Sequence, residues 1–240
     1  LYNRDNIRKD ILSITDLYSD KGYANVDIKP LIDKNAEDSN VKITYLIDKK
    51  NLVYFNRINI SGNYKTRDKV IRREIRVEEQ GLYSKKEIQR SFKNLNRLDY
   101  FENIDVKPVK TAKEDELDLN VEVVDKNTGQ LSFGAGYSSD EEGFVTAEIK
   151  ERNLWGKGQT GKISARISTK TVLYNIAFYE PYIMDTPISG GVEVYREEKE
   201  YDYYDRDSIG YKGTLGYKLF DYARIGIRHR LESFEVSDVE

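Results

Sequence analysis

Residues 25–30 read NVDIKP and residues 103–108 read NIDVKP. Each hexapeptide follows an amphipathic stretch and precedes an alternating run that ends in an Asp-Lys pair. The two copies lie 78 residues apart, whereas Leu1-Tyr2-Asn3 with Ile7 lies 81 residues before Leu82-Tyr83-Ser84 with Ile88. The difference falls in the loop Ser19–Gly22, which is longer in the first copy. Two offsets that bracket one loop indicate a repeated domain, and two copies are too few for a solenoid.

Each copy has a physical reading. Ile7, Ile11, Ile14, Leu17 and Tyr18 follow helical spacing, as do Ile88, Phe92, Leu95 and Leu98. Ser84-Lys85-Lys86-Glu87 has capping-box form and predicts a helix start near Ser84. Pro30 and Pro108 end the extended segments that follow, and a residue without an N–H predicts edge strands there. Val41, Ile43, Tyr45 and Ile47 then alternate as a partner strand, as do Leu117, Leu119, Val121 and Val123. The second copy also has an upstream part: a strand over Val53–Ile60, turn residues Ser61-Gly62-Asn63, and a helix capped by Thr66 and carrying Val70, Ile71 and Ile75. Its order is β-α-α-β-β, of which the first copy keeps the last α-β-β.

Ile58-Asn59-Ile60-Ser61-Gly62-Asn63, Val70-Ile71-Arg72-Arg73-Glu74, Gly81-Leu82-Tyr83 and Leu98-Asp99-Tyr100-Phe101 resemble the POTRA domain of the BamA-type outer-membrane assembly factors. One departure is Asp99, which stands where that family often has Gly. The resemblance implies a truncated POTRA domain over 1–50 and a complete one over 51–127. The hexapeptide then recurs because such modules stand in tandem.

Composition changes after residue 128: 13 of the 16 glycines and 11 of the 19 tyrosines lie beyond it. Helical periodicity stops, and alternating segments run over about 129–139, 144–152, 160–169, 171–180, 188–198, 207–219 and 223–236. Lys162, Ser164, Arg166 and Ser168 face one way while Ile163, Ala165 and Ile167 face the other; Ala223, Ile225, Ile227 and Leu231 alternate with Arg224, Gly226, Arg228 and Arg230. A soluble sandwich turns such an apolar face inward, whereas a membrane barrel turns it to lipid. Segment length favours the barrel, since a tilted strand of 9–11 residues crosses a bilayer. Connectors also alternate in kind. An acidic turn at Asp140–Gly143 and a long polar loop near Glu197–Arg206 would face outside, and turns at Asn153–Gln159, Glu180–Pro187 and Phe220–Tyr222 the periplasm. Gly134-Ala135-Gly136-Tyr137, Asn153–Gly158 and Phe178–Tyr182 likewise resemble the first barrel strands of the same family, so 128–240 is expected to hold about seven strands of an incomplete barrel. The fold class is thus α+β POTRA modules followed by the N-terminal part of an antiparallel transmembrane β-barrel.

A formal net charge of −3 from 39 basic and 42 acidic residues gives no basis for nucleic-acid binding or a polybasic anchor. The absence of cysteine excludes thiolate chemistry and disulfides. The sequence opens on Leu1 and its one methionine is Met184, so the natural start and any signal peptide are expected upstream. Trp155 reads as an aromatic-girdle residue, and His229, the only histidine, lacks partners for a metal site or a triad. The acidic run Glu197–Asp205 lacks the Gly-punctuated spacing of a calcium loop and reads as solvated; Arg224, Arg228 and Arg230 read as a hydrated lumenal row. No catalytic constellation and no cofactor site emerges.

What remains is backbone chemistry. A sheet edge offers unpaired N–H and C=O groups that template another strand. In the resembled family the first barrel strand flanks a seam that opens to client strands. Here the expected client-binding residues are Gln130, Leu131, Ser132, Phe133, Gly134, Ala135, Gly136 and Tyr137, with Ser132, Gly134, Gly136 and Ser138 forming a small, lightly packed face. Val26, Ile28, Ile104 and Val106 mark the POTRA edge strands, which either greet clients or are blunted by their prolines. The resemblance implies a non-enzymatic outer-membrane insertase with POTRA domains in the periplasm. Unfolded outer-membrane proteins, accessory lipoproteins and outer-membrane lipid would be its partners. The alternatives are a two-partner secretion translocator exporting one dedicated protein, a barrel fused to a hydrolase, and a soluble binding module.

Overall fold

Alternating polarity produces two kinds of sheet in this chain. The computed structural model describes residues 3–35 and 40–238; Leu1 and Tyr2 of the repeat lie outside the described residues. By packing, residues 1–64 and 71–125 form one unit, and residues 65–70 and 126–240 a second.

In the first unit, Asn3 caps α1 (Arg4–Ser19) by accepting from the Asp5 N–H at 2.8 Å. β1 (Asp27–Asn35) and β2 (Asn40–Asp48) follow as an antiparallel pair in which Pro30 faces Tyr45. The second copy runs β3 (Tyr54–Ser61), α2 (Asp68–Arg72), α3 (Lys85–Leu98), β4 (Phe101–Lys110) and β5 (Glu116–Asp125). Its sheet has the order β3-β5-β4, with β3 parallel and β4 antiparallel to β5. Both segments are edge strands, as expected, but the prolines do not end them: β1 runs five residues past Pro30 and β4 two past Pro108, because a proline whose missing N–H faces away from the partner leaves the ladder intact. Gly62 turns the chain out of β3 at a φ of +83°, where a side chain would also strike the Val123 carbonyl.

Ser84 accepts from the Glu87 N–H at 3.3 Å, so α3 begins where the capping pattern places it. α3 ends on Asp99 in the left-handed region (φ 59°), the position where glycine has no steric cost. The core beneath α3 is made by Phe55, Ile71, Leu95, Leu119 and Val121, all fully buried. α2 is shorter than expected: Ile75 is buried but lies beyond its last residue, Arg72. The two copies meet through polar contacts. Lys85 Nζ reaches Asp16 at 2.7 Å, the Lys86 N–H donates to Asp20 at 2.8 Å, and the Val53 N–H donates to the Gly22 carbonyl at 2.9 Å.

The second unit is one antiparallel sheet of seven strands: β6 (Gly129–Ser138), β7 (Glu142–Leu154), β8 (Gln159–Ser168), β9 (Thr171–Glu180), β10 (Ile188–Tyr201), β11 (Tyr204–Phe220) and β12 (Ala223–Ser237). Each pairs with its sequence neighbours, so β6 and β12 are the two edges and the sheet does not close. The register aligns Leu131, Ile149, Ile163, Ile176, Val194, Tyr211 and Leu231 into one row across all seven strands. Every residue of that row is at least 42% exposed. The next row, on the opposite face, is Ser132, Glu148, Ser164, Asn175, Tyr195, Gly210 and Glu232. Apolar outside and polar inside is the pattern of a membrane barrel wall. No helix among the described residues is long and apolar enough to cross a membrane.

One expectation is corrected. Residues 197–206 are not a long polar loop: β10 and β11 continue their ladder to Tyr201 facing Tyr204, whose rings stack at 4.6 Å. Both faces of this extension are polar, which hid its alternation. The ladder places the carboxylates of 197–205 on opposite faces, so they do not form one calcium loop.

Candidate functional site

β6 is the first strand of the large sheet, and its ladder partner among the described residues is β7. The eight expected seam residues, Gln130 to Tyr137, all lie within it. Leu131, Phe133 and Tyr137 project on the apolar face, with Phe133 76% and Tyr137 78% exposed. On the polar face the glycines make room for β7. A Cβ at Gly136 would come within 2.5 Å of the Phe144 ring, and one at Gly134 within 2.8 Å of Thr146 Oγ1. The Phe144 ring thus covers the Gly136 backbone, and Arg166 stacks over the same ring at 4.0 Å. The small face of β6 is accordingly filled from β7 rather than empty. Side-chain bonding within β6 is limited to Gln130 Nε2 donating to Ser132 at 3.2 Å.

The POTRA edges differ from β6. Val26 precedes β1, which starts at Asp27, while Ile28 within β1 is buried. Ile104 and Val106 are half-buried on β4, opposite Val123 and Val121. Pro108 interrupts the free edge of β4. Beside it, a hydrogen bond to Asp105 holds the Lys107 amine above its usual range. Proline and lysine on an edge discourage strand addition. On the junction of the two copies, the Asp16 carboxylate holds the Lys85 amine above its usual range, and burial raises the Tyr83 phenol.

Several charged groups on the polar face of the large sheet have partners there. Lys212 meets Glu193 at 2.8 Å, Asn175 donates to Glu193 at 2.6 Å, and Arg230 donates to the Tyr195 hydroxyl at 2.8 Å. Tyr195, the one buried apolar side chain of this sheet, donates onward to Glu232 at 2.5 Å. Arg224 meets the Tyr179 hydroxyl at 2.8 Å, so the basic row does lie on this hydrated face. His229 lies on the other face, beside Tyr211, whose hydroxyl is 3.2 Å from Nδ1. Trp155 sits in the turn after β7, 71% exposed.

Sequence reasoning missed one buried cluster in the second unit. Asn153 Nδ2 donates to Thr66 Oγ1 at 2.8 Å, Asn153 Oδ1 accepts from the Gly158 N–H at 2.8 Å, and the Arg67 N–H donates to the Gly156 carbonyl at 2.9 Å. Thr66 and Asn153 are both buried. Gly156 has a φ of +69°, and a side chain there would lie 1.9 Å from the Lys65 carbonyl oxygen. Lys69 and Asp185 add an exposed ion pair at 3.0 Å. The only signal was the pair of glycines at 156 and 158, which marks a turn but not what it grips.

The POTRA family, described as surface antigen variable number repeat, matches residues 1–50 and 53–126, and the Omp85 superfamily domain matches residues 153–239. The chain is 35% identical over 236 residues to the outer membrane protein assembly factor BamA of Nitratidesulfovibrio vulgaris, covering 98% of this chain and 30% of that protein. It is 34% identical over 174 residues to BamA of Neisseria meningitidis, covering 72% of this chain and 22% of that one. Among solved structures, BamA from Haemophilus ducreyi lacking POTRA domains 1–3 superposes with a TM-score of 0.89 at 23% identity, over 100% of this chain and 46% of that chain. CdiB from Escherichia coli superposes with a TM-score of 0.60 at 14% identity, over 99% and 47%. The chain therefore spans less than half the length of these relatives. It belongs to the BamA-type assembly factors of the Omp85 superfamily, outer-membrane proteins whose POTRA domains lie in the periplasm.

Proposed function

We propose that the protein containing this chain inserts β-barrel proteins into the outer membrane, using the edge of β6 away from β7 to template client strands. The observation that carries this reading is the make-up of β6, the first strand of the sheet: its outward Leu131, Phe133 and Tyr137 are exposed and apolar, and its other face beyond Gln130 is only serine and glycine. A lipid-immersed N–H or C=O without a partner costs several kcal/mol, so a strand that enters beside an existing edge avoids most of that barrier. The free energy comes from folding itself, and no nucleotide or cofactor is needed. Residues Gln130 to Tyr137 are the seam. The POTRA edges at Val26, Ile28, Ile104 and Val106 are a secondary contact for unfolded clients, weakened by Pro108 and Lys107. Accessory lipoproteins are further partners, docking on the POTRA domains.

The relatives named as assembly factors support this reading, as does the higher superposition with BamA than with CdiB. The test is to place the full-length parent in liposomes and follow protease-resistant folding of several unrelated urea-denatured barrel proteins. Acceleration of many clients is expected. Acceleration of none, with or without accessory lipoproteins, would favour a translocator dedicated to one protein.

A further inference from the structure

The outward face of the large sheet is not evenly filled. Across β9 to β12 a groove of about 550 Å³ runs over two positions that lack outward side chains, Gly190 and Gly213. Phe178, Val192, Leu215 and Ile227 form its walls. Three of the four strands, β9 to β11, have a ladder partner on each side, and β12 supplies the wall at Ile227.

The two glycines serve the groove differently. A Cβ at Gly190 would lie 2.7 Å from Ile183 Cδ1, so Gly190 lets Ile183 fold down at the mouth. Ile183 is held there by a 3-10 turn in which Met184 and Asp185 both have positive φ, 52° and 60°. Two consecutive non-glycine residues in that region are strained, and such strain persists where surrounding structure enforces it. At Gly213 a Cβ would meet nothing nearer than Tyr211 Cε2 at 3.9 Å. Gly213 is therefore open floor, not a packing requirement. At the far end stand Tyr211 and His229, with ring centroids 5.8 Å apart and the Tyr hydroxyl 3.2 Å from Nδ1. Here their mutual hydrogen bond satisfies one polar atom of each ring and presents ring surface to the groove.

Orientation identifies the occupant. β6 enters the sheet from the periplasmic side, and the antiparallel order returns the chain to that side at the 3-10 turn after β9. The mouth at Ile183 thus lies at the periplasmic margin, and the groove runs from there over the apolar face of β9 to β12. We infer that it retains one acyl chain of a phospholipid from the periplasmic leaflet, with the headgroup beside the turn Tyr182–Pro187. This site rests on membership of an outer-membrane family and is independent of the proposed insertion activity.

The test uses the full-length parent in vesicles of phosphatidylethanolamine and phosphatidylglycerol doped with a phospholipid carrying a mid-chain diazirine. After irradiation, adducts are mapped by mass spectrometry of the digested protein. Peptides spanning 178–192 and 211–229 are expected to carry at least fivefold more adduct per residue than the equally lipid-facing 131–149 and 163–167. Gly213→Leu fills the floor and is expected to reduce groove adducts at least fivefold while leaving those on 131–149 unchanged. Its folding is checked by heat-modifiable gel mobility, with Gly213→Ala as a milder filler. Even labelling around the belt would overturn the site, as would groove labelling that a folded filled variant leaves intact.

Discussion

The two halves of this chain use the same apolar residues in opposite senses. In residues 7–123, Phe55, Ile71, Leu95 and Leu119 are fully buried under a helix. In residues 129–237, Leu131, Ile149, Ile163 and Ile176 form a continuous row that is 57–61% exposed. A soluble domain must bury such a row. A barrel wall in lipid leaves it outside, satisfies its backbone in ladders and keeps its charges on the inner face. The contrast teaches that alternation alone does not say which way a strand faces. The solvent decides, and the solvent is read from strand length and from the polarity of the opposite face.

The largest expected effect that sharpens this contrast is Leu119→Ala. It leaves a cavity under α3 and should cost about 2–5 kcal/mol, read as faster hydrogen exchange across β3–β5. By contrast, Ile176→Ala on the exposed row should leave strand exchange almost unchanged. A charge inverts the comparison. Ile176→Arg should destabilise the barrel by about 2–4 kcal/mol in lipid, whereas Ser164→Arg on the polar face should cost under about 1 kcal/mol. Equal costs in urea-driven unfolding from vesicles would break the assignment of faces. Next, Gly156→Ala forces a side chain into the left-handed region against the Lys65 carbonyl and should cost at least about 2 kcal/mol, exposing the 65–70 backbone to exchange.

Smaller effects belong to the first unit. Lys85→Ala removes an exposed pair with Asp16 and should cost under about 1 kcal/mol, diminishing with salt. Lys85 and Tyr83 both have folded pKa values above their unfolded ones. A raised pKa gives stability that is present below the unfolded value and lost as pH climbs through the folded one. The junction should therefore loosen above pH ~10 and be insensitive near neutrality, as read by exchange at the Lys86 and Val53 amides. Asp99→Gly should be near neutral or stabilising by up to about 1 kcal/mol, because it relieves a left-handed C-cap.

Most of the fold was legible because periodicity reports burial. The helices at Arg4–Ser19 and Lys85–Leu98 followed from apolar spacing, and Ser84 marked its own cap. Pro30 and Pro108 announced edge strands by the donor they lack. The seven strands of the second half were legible as alternation until both faces became polar, which is why residues 197–206 read as a loop. The buried tie between Thr66 and Asn153 was not legible. Its partners stand 87 positions apart, are individually unremarkable polar residues, and share no period. The groove at Gly213 was equally hidden, since a missing side chain matters only once four strands set its neighbours. For the seam, the sequence showed small residues on one face of β6; the Phe144 ring that fills the space above Gly136 appeared only in the register.

The central claim is that the edge of β6 away from β7 pairs with client strands. This chain carries no cysteine, and any cysteine elsewhere in the full-length parent would first be replaced by serine. Cysteines placed in turn at positions 130 to 137 of the full-length parent would be oxidised against single cysteines along the terminal strand of a folding client. The account predicts disulfides in one register, strongest at alternating positions, with none from Ser164→Cys in the interior strand β8. Crosslinks without register, or none from β6 while the client still folds, would contradict it.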